Sequence, residues 1–474
     1  MTKTSVALFV FAITLIATFV VAWMGRRHAK SDINGLADEK LNRWLIGLSA
    51  GAAANSGFIV TGAVGLGYSE GVKWLLLPLG WLLGDILFWL VFPGRINAFG
   101  AKSKATTLSE LITSHLPKRT GLILSILVAL LVTVCLSGYI AALWLAGQKF
   151  LAGAFGVPGL LALVLFAVLI VTYTAIGGFR GSVYVDAFQA VIRIFGTILA
   201  VGAIFFVSQA DPSFDQSLQL AGPGFLSILG DGGPGAAVGI LVGFAAAALG
   251  FGLGLPHIVS RYLAGASPAE TQSAWWIYIA FVQFTWIAMT IFGVMLRGVM
   301  PHIVDPEAGL SAFFESKTGP VLTGIIVADV FATIAATSNA LLVAMGQTVS
   351  HDLAPRIMGR SKPLPLAPVC FIIGCATMLL SLMLQTTVMT LALWSVALIG
   401  AGLAPAVMVR VLGWRCSDYS LIASVIVGVA TAIIWRFAGL NAAVNEALPG
   451  IALGLVVNYV VVRVGKLKTA RGRR

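Results

Sequence analysis

The chain carries little charge for its length. Of its 474 residues, 10% are charged and only 18 are Asp or Glu, whereas an average soluble protein has about 25% charged residues. Hydrophobic residues make up 59% of the chain, and the mean hydropathy is +0.97. This balance excludes an ordinary soluble protein and predicts an all-α, polytopic membrane protein.

Cysteine and histidine are also scarce. The chain has four cysteines and five histidines, and none of them stands at the spacing of a metal site or a disulfide framework. The sequence also lacks a Walker loop, a GxSxG elbow and a pair of carboxylates at metal-binding spacing. We therefore expect that the protein is not an enzyme and is not driven by ATP.

Long apolar runs fill the chain instead. A helix needs about 20 apolar residues to cross a bilayer, and about thirteen runs meet this requirement, so that residues 1–474 form a single membrane domain. The predicted spans are 5–24, 45–69, 73–93, 120–148, 157–177, 187–208, 236–258, 272–296, 319–345, 365–384, 387–409, 418–437 and 447–463.

The basic residues predict the orientation of these spans. The net charge is +12, and most Lys and Arg fall on alternate loops, which we assign to the cytoplasm together with Arg193, Arg261 and the basic tail at 464–474. This rule predicts an outside N-terminus and a cytoplasmic C-terminus in the cytoplasmic (inner) membrane. It also makes the lipid bilayer, and not nucleic acid, the partner of the basic residues.

The second span contains the small and polar sequence SAGAAANSG at 49–57. Irregular backbone at this depth survives only where it lines a cavity or is buried in protein. A packing face of small residues is the alternative, but it does not explain Asn55 and Ser56. We therefore expect a broken helix, whose freed carbonyls could hold a small cation.

A second interruption is expected at Gly250–Pro256, near the end of the seventh span. An ordinary proline kink is the alternative. The interrupted spans are five apart, so each begins one half of a possible inverted repeat. We assign 45–208 and 236–409 to two inverted five-helix repeats, with peripheral helices at 5–24 and 418–463.

Polar residues also lie in other spans. The ninth span contains Thr333–Asn339, with Asp329 two turns earlier, and the third contains Asp85. Thr and Ser hydroxyls commonly bond to their own helix, but an intramembrane Asp is a functional candidate by default. Asp329 could instead lie near the outer boundary, and Asp85 could pair with a neighbouring helix.

The segment Gly177–Gln189 resembles the signature of the sodium:solute symporter family, in which Gly-Gly is followed by Asp and Gln entering the next helix. Here these residues are Gly177, Gly178, Asp186 and Gln189. The stretches Pro256–Tyr262 and 341–353 also resemble the family, which includes bacterial proline, pantothenate and sialic-acid permeases and the sodium–glucose transporters. The resemblance implies two inverted five-helix repeats.

The resemblance also implies a sodium ion, the expected coupling ion, between spans two and nine. Its ligands would be backbone carbonyls and side chains, since hard cations prefer oxygen. Ala336 departs from the family because it lacks the usual hydroxyl, which Ser338 or Asn339 could replace, and Ala54 stands where proline permeases carry Asp. Asp186 resembles a carboxylate that helps the ion to leave. The expected ligands are the carbonyls of Ala52, Asn55 and Thr333 and the side chains at Ala336 and Thr337.

The substrate site of proline-type members maps to both interrupted helices and to the fourth span. Two bulky aromatics of the family are replaced by Ala248 and Gly252, so we expect additional space and a substrate other than proline and larger. The expected substrate-binding residues are Gly57, Phe58, Tyr139, Ala248, Gly252 and Pro256.

These observations favour a secondary active transporter that imports a small organic solute, such as an amino acid or a carboxylate, by sodium-coupled symport with alternating access. A proton-coupled symporter of the same fold is an alternative, in which Asp329, Asp85 or Asp186 would carry the charge. A transporter-like sensory membrane module is another. The sequence leaves the oligomeric state open.

Overall fold

A computed structural model describes residues 3–27, 40–359, 362–383 and 388–471. The regular secondary structure of the described residues is helical, apart from a single bridge between Leu41 and Gly265. The last three residues of the basic tail lie outside the described residues. The helices are α1 (Lys3–Arg27), α2 (Arg43–Ala54), α3 (Val64–Glu70), α4 (Leu76–Val91), α5 (Pro93–Ser103), α6 (Leu108–Thr113), α7 (Lys118–Phe155), α8 (Gly159–Ala210), α9 (Phe214–Gln219), α10 (Gly233–Gly254), α11 (Pro256–Leu263), α12 (Pro268–Ser273), α13 (Trp275–Val299), α14 (Gly309–Lys317), α15 (Pro320–Gln347), α16 (Ala354–Met358), α17 (Leu366–Met383), α18 (Val388–Val411), α19 (Asp418–Phe437) and α20 (Ala447–Arg471). Short π-helical segments span Ile59–Ala63 and Thr348–Leu353, and 3₁₀ turns span Val72–Leu75, Pro306–Ala308 and Leu440–Ala442.

Most of these helices are long and apolar. Within the described ranges, eleven helices could each cross a membrane, or twelve spans exist if one bent pair counts as a span. Helix α8 has 52 residues, and at 1.5 Å per residue it is more than twice as long as the ~30 Å hydrocarbon core. Its course changes at Gly178, whose φ of 58° and ψ of −161° are not helical. The chain is thus a polytopic helical membrane protein.

The bent pair is the first predicted interruption. Helix α2 starts at an Asn42 cap, which accepts a hydrogen bond from the Leu45 amide, and it ends at Ala54. Asn55 leaves the helical conformation with ψ of 68°, and the chain resumes as π-helix and α3 at an angle of 58°. The predicted break is confirmed, but Ser49–Ala54 remain helical and Gly57 is helical again, so the opening is confined to Asn55 and Ser56.

The second predicted interruption is also present. Helix α10 ends at Gly254, Leu255 is extended with ψ of 118°, and α11 begins at Pro256. Proline suits the first position of a helix because its missing amide has no partner to lose there. A Cβ at Gly254 would lie 3.0 Å from the Ile399 carbonyl, so glycine allows α10 to approach α18 closely beside the break.

Helix α15 lies at the centre of the bundle. It packs against α1, α7, α8 and α17, and every side chain from Ile326 to Gln347 is buried. Helix α10, which ends at the second interruption, packs against α4 and α18. The polar residues of α15 therefore face protein and not lipid.

Two of the basic residues that we assigned to the cytoplasmic side are buried. Arg193 is 2% exposed and Arg261 is 1% exposed, and each forms an ion pair with an Asp on another helix. These two residues therefore lie buried on helices inside the protein and not in exposed loops. An arginine is stable inside a membrane protein only with such a partner.

Candidate functional site

The end of α2 meets α15 at a cluster of oxygen atoms. Thr337 Oγ1 lies 3.2 Å from the Ala53 carbonyl oxygen and 3.5 Å from that of Ala52. The contact exists because α2 stops at Ala54 and leaves its last carbonyls without helical partners. Thr337 is fully buried, so oxygens from two helices converge in a site closed to solvent.

Asn55 and Thr333 are predicted to bind the ion through their backbone carbonyls, and their side chains have other partners. The side-chain nitrogen Nδ2 of Asn55 donates to Thr285 Oγ1 on α13. Thr333 Oγ1 donates to the Asp329 backbone carbonyl at 2.9 Å. Ala336 is buried at the adjoining position and has no side-chain oxygen. The structure thus brings Ala52 and Thr337 together directly, whereas the side chain of Asn55 points to α13.

The two residues that could replace the missing hydroxyl at position 336 are engaged elsewhere. Ser338 Oγ donates to the Ile334 carbonyl of its own helix at 2.8 Å. Asn339 Nδ2 donates to Ser182 Oγ on α8 at 2.9 Å. Among the described residues, Thr337 is therefore the α15 residue whose hydroxyl lies within hydrogen-bond distance of the last carbonyls of α2.

Asp186 is the centre of a second polar cluster. It is fully buried, and its Oδ2 accepts from Arg261 Nη2 at 2.5 Å and from Ser49 Oγ at 2.8 Å. Arg261 Nε in turn donates to Ser49 Oγ at 2.6 Å, and Nη1 donates to the His257 carbonyl. The cluster ties α8 to α2 and α11, the helices that adjoin the two breaks.

A third buried cluster joins α8 to α15. Arg193 Nη1 lies 2.6 Å from Asp329 Oδ2, and the Asp329 carboxylate packs directly on Gly196, where a Cβ would collide with it. Asp329 therefore lies inside the bundle, paired with an arginine. The sequence did not predict the pair because its members are 136 positions apart.

Aromatic side chains connect the two breaks. The ring of Phe58 lies 5.3 Å from that of Trp286, which lies 5.2 Å from Trp81. Trp81 contacts Phe251 at 5.4 Å, and Phe251 contacts His257 at 5.9 Å. Such separations are typical of favourable aromatic pairs. Sequence reasoning identified Phe58 but missed Trp81, Trp286 and Phe251.

The remaining predicted substrate residues are buried close to these rings. Tyr139 is fully buried, and its side chain interacts with Ser56 at the first break. Gly57 is enclosed because a Cβ there would lie 3.1 Å from Ile334 and 3.3 Å from Leu143. Pro256 begins α11 at the second break.

The space expected at Ala248 and Gly252 is absent. A Cβ on Gly252 would lie 2.7 Å from the Phe88 ring, and a Cβ on Gly84 would lie 2.6 Å from that of Ala248. Both positions face α4, which approaches α10 closely. The prediction that the two small residues leave an opening for a larger solute is therefore wrong, because aromatic and backbone atoms of α4 fill it.

Two interrupted helices that meet a buried polar helix are the arrangement expected of a secondary transporter. The model of the sodium:solute symporter family matches residues 35–417. The chain belongs to the sodium:solute symporter family.

Its relatives and structural neighbours are consistent with this membership. The chain is 26% identical to the osmoregulated proline transporter of Bacillus subtilis, covering 96% of this chain and 94% of the relative. It is 24% identical to the sodium/proline symporter of Escherichia coli, covering 98% and 93%. A Na⁺-coupled sialic acid symporter in a substrate-bound outward-open state has the same fold, with a TM-score of 0.77 at 17% identity over 97% of this chain and 98% of that chain.

These findings define the class of activity. The chain matches relatives that are transporters over almost their whole length. The protein is therefore a small-solute symporter and not an enzyme. A nucleobase-cation-symport-1 family transporter also shares the fold more distantly, with a TM-score of 0.54 at 14% identity, covering 92% of this chain and 96% of that chain.

Proposed function

We propose that the protein imports a small organic solute, such as an amino acid or a carboxylate, by sodium-coupled symport with alternating access. The observation that carries this proposal is the contact of Thr337 Oγ1 with the Ala52 and Ala53 carbonyls. A hydroxyl and freed carbonyls in a buried site are oxygen ligands of the kind that a hard cation prefers.

The proposed sodium site uses few side chains. The carbonyls of Ala52, Asn55 and Thr333 and the groups at positions 336 and 337 would surround the ion. Because Ala336 supplies no hydroxyl, Thr337 is the side chain on which the site depends most. Asp186 would assist release of the ion. Ser338 and Asn339 on α15 would take part in the same step.

The proposed solute site lies between the two breaks. Gly57, Phe58 and Tyr139 would contact the solute from one side and Pro256 from the other, whereas Ala248 and Gly252 would let α4 close against α10 behind the site. The start of α11 would face a solute carboxylate, because a helix N-terminus favours negative charge. The relatives that transport proline support a solute of this size, and the close packing of Gly252 on Phe88 gives no support for a larger one.

We also propose thirteen spans and two inverted five-helix repeats. The length of α8 and the non-helical Gly178 support counting that helix as two spans. The breaks at Asn55 and Leu255 support corresponding positions in two halves. The protein would lie in the inner membrane with its N-terminus outside. Because the number of spans is odd, its C-terminus would then lie in the cytoplasm.

Thermal stabilisation of the purified protein by sodium tests the ion site. A ligand that binds only the folded state stabilises it by about 2.7 kcal/mol at one hundred times its Kd. Wild type should gain stability in NaCl over choline chloride, Thr337→Ala should lose most of that gain, and Thr337→Ser, which keeps the hydroxyl, should retain it. Equal responses in all three proteins would refute the proposed role of Thr337.

Uptake into proteoliposomes tests the transport activity itself. An inward sodium gradient should drive accumulation of radiolabelled proline or of another amino acid or carboxylate in a panel of competitors. Accumulation that follows an imposed pH gradient and ignores sodium would favour proton coupling, the second candidate function. That candidate is favoured by the buried carboxyl of Asp85.

A further inference from the structure

Asp85 is enclosed in the middle of α4. The residue is 2% exposed and stands one turn after Trp81 and one turn before Trp89 on the 16-residue helix Leu76–Val91. Its Oδ2 has no hydrogen-bond partner among the described residues. The Asp85 carboxyl is therefore a buried polar group that is not among the residues of the proposed sodium and solute sites.

Asp85 differs from the other deeply buried Asp residues. Asp186 pairs with Arg261 and Asp329 pairs with Arg193. No ion pair of Asp85 occurs within the described residues. An isolated carboxylate in a medium of low polarity is so costly that the group binds a cation or takes up a proton instead.

The helix packed along α4 offers no cation, and Arg297 near the end of α13 donates to the Pro301 carbonyl. Helix α10, which packs along α4, has no titratable residue. Tyr262 of α11 and Tyr278 of α13 are titratable groups that interact electrostatically with Asp85. The Trp89 ring contacts these two tyrosines at 5.4 and 5.3 Å.

The charged groups of the other neighbouring segments are occupied or distant. Lys73, ahead of α4, pairs with Glu70 at 2.7 Å, and the side chains of Arg95 and Lys102 on α5 are exposed. Arg261 on α11 is held by Asp186. On that helix His257 is fully buried, and both of its ring nitrogens lack a partner in the described chain.

The packing around Asp85 also limits the size of a ligand. A Cβ on the preceding residue, Gly84, would collide with the Ala245 carbonyl, and one on Gly252 would strike the Phe88 ring. A proton needs no additional volume, whereas an organic cation would have to separate α4 from α10. The geometry therefore favours a proton over a positively charged solute.

We propose that Asp85 is a proton-binding site that is occupied while α4 is closed against α10. When the interrupted helices α10 and α11 move away from α4, water reaches the carboxyl and takes its proton, which leaves an ionised Asp85. The step is an acid–base exchange with water and needs no other reactant. It rests on the alternating access of the proposed function, and it makes proton binding part of the same cycle.

Infrared spectroscopy of the purified protein tests the bound proton directly. A protonated carboxyl has a C=O stretch at higher frequency than an ionised one. At neutral pH the wild-type spectrum should contain this band. Asp85→Asn should lower the intensity of the band by the contribution of one carboxyl group. Asp215→Asn, at an exposed position, is the matched control and should leave the band unchanged, while Asp85→Glu should keep the band at a shifted frequency.

The outcomes separate the possible occupants. An unchanged band in both Asp85 variants would overturn the proposal. Loss of the wild-type band on addition of an organic ammonium compound would also overturn it, because Asp85 would then pair with a cationic solute.

Proton exchange on ligand addition tests the coupling. Wild type in weakly buffered detergent should exchange protons with the medium on addition of sodium and proline, and Asp85→Asn should exchange fewer. Sodium stabilisation of Asp85→Asn should persist, so failure of the proton proposal is distinguishable from failure of the sodium proposal. Equal proton exchange in both proteins would refute a role for Asp85 in the cycle.

Discussion

Loss of Arg261 should destabilise the protein strongly. Arg261 is the basic partner of Asp186 and also donates to Ser49, all inside the bundle. Arg261→Met retains apolar length but leaves a buried carboxylate whose remaining hydrogen bond comes from Ser49. Breaking a buried ion pair from one side typically costs about 3–5 kcal/mol, because the remaining charge is uncompensated.

The double variant measures the interaction itself. Asp186→Asn with Arg261→Met removes both charges, so its cost should be lower than the sum of the two single variants by about 0.5–3 kcal/mol, the usual range for residues in contact. The free energy of unfolding can be measured by titrating sodium dodecyl sulfate into mixed micelles and following helix content.

An exposed ion pair provides the matched control. Arg43 Nη2 lies 2.5 Å from Glu270 Oε1, the same distance as in the buried pair, but the two side chains are 44% and 29% exposed. Arg43→Met should therefore have a much smaller effect than Arg261→Met, since water solvates the remaining Glu270. Equal costs in the two pairs, or strictly additive effects of Asp186→Asn and Arg261→Met, would refute the assignment of the energy to burial.

Two further predictions concern glycines. Gly178 and Gly202 both lie in α8, and a Cβ added at either residue would meet no atom within 4 Å. Gly178→Ala should nevertheless cost about 1–3 kcal/mol of unfolding free energy, because its backbone conformation is one that only glycine adopts readily. Gly202→Ala should be neutral or stabilising, and equal unfolding free energies of the two variants would contradict the backbone explanation. Gly84→Ala should destabilise by about 1–3 kcal/mol, because the new methyl group meets the Ala245 carbonyl, and an unchanged detergent melting temperature would show that α4 can move away from α10 at no cost.

The two breaks could be predicted because their signals are local. Asn55 and Ser56 interrupt an apolar run, and Pro256 follows three glycines within seven residues. Both features act on the backbone where they stand, through polar groups that hydrocarbon cannot satisfy and an amide that proline lacks. The polar face of α15 was identified for the same reason.

The ion pairs could not be predicted in this way. Arg193 and Arg261 lie near the ends of apolar runs, where a basic residue usually marks a cytoplasmic loop. Their Asp partners are on other helices, 136 and 75 positions away along the chain. Burial of an arginine depends on that partner, so the chain position alone gave the wrong environment.

The prediction of free volume beside Gly252 failed for a similar reason, because it also depended on a neighbouring helix. A missing side chain creates space only if no neighbour enters it, and here Phe88 of α4 does. The approach of α4 to α10 depends on small residues in both helices, including Gly84 and Ala248. The size of a residue in one helix therefore did not predict the size of the site.

The contact between Trp81 and Trp286 provides an intrinsic optical probe. Their rings are 5.2 Å apart and inclined at 57°, an arrangement in which the electronic transitions of two indoles couple and produce a signal in near-ultraviolet circular dichroism. Trp81 belongs to α4 and Trp286 to α13, so a relative movement of these helices would change that signal. Opening and closing of the protein could thus be followed in unlabelled samples.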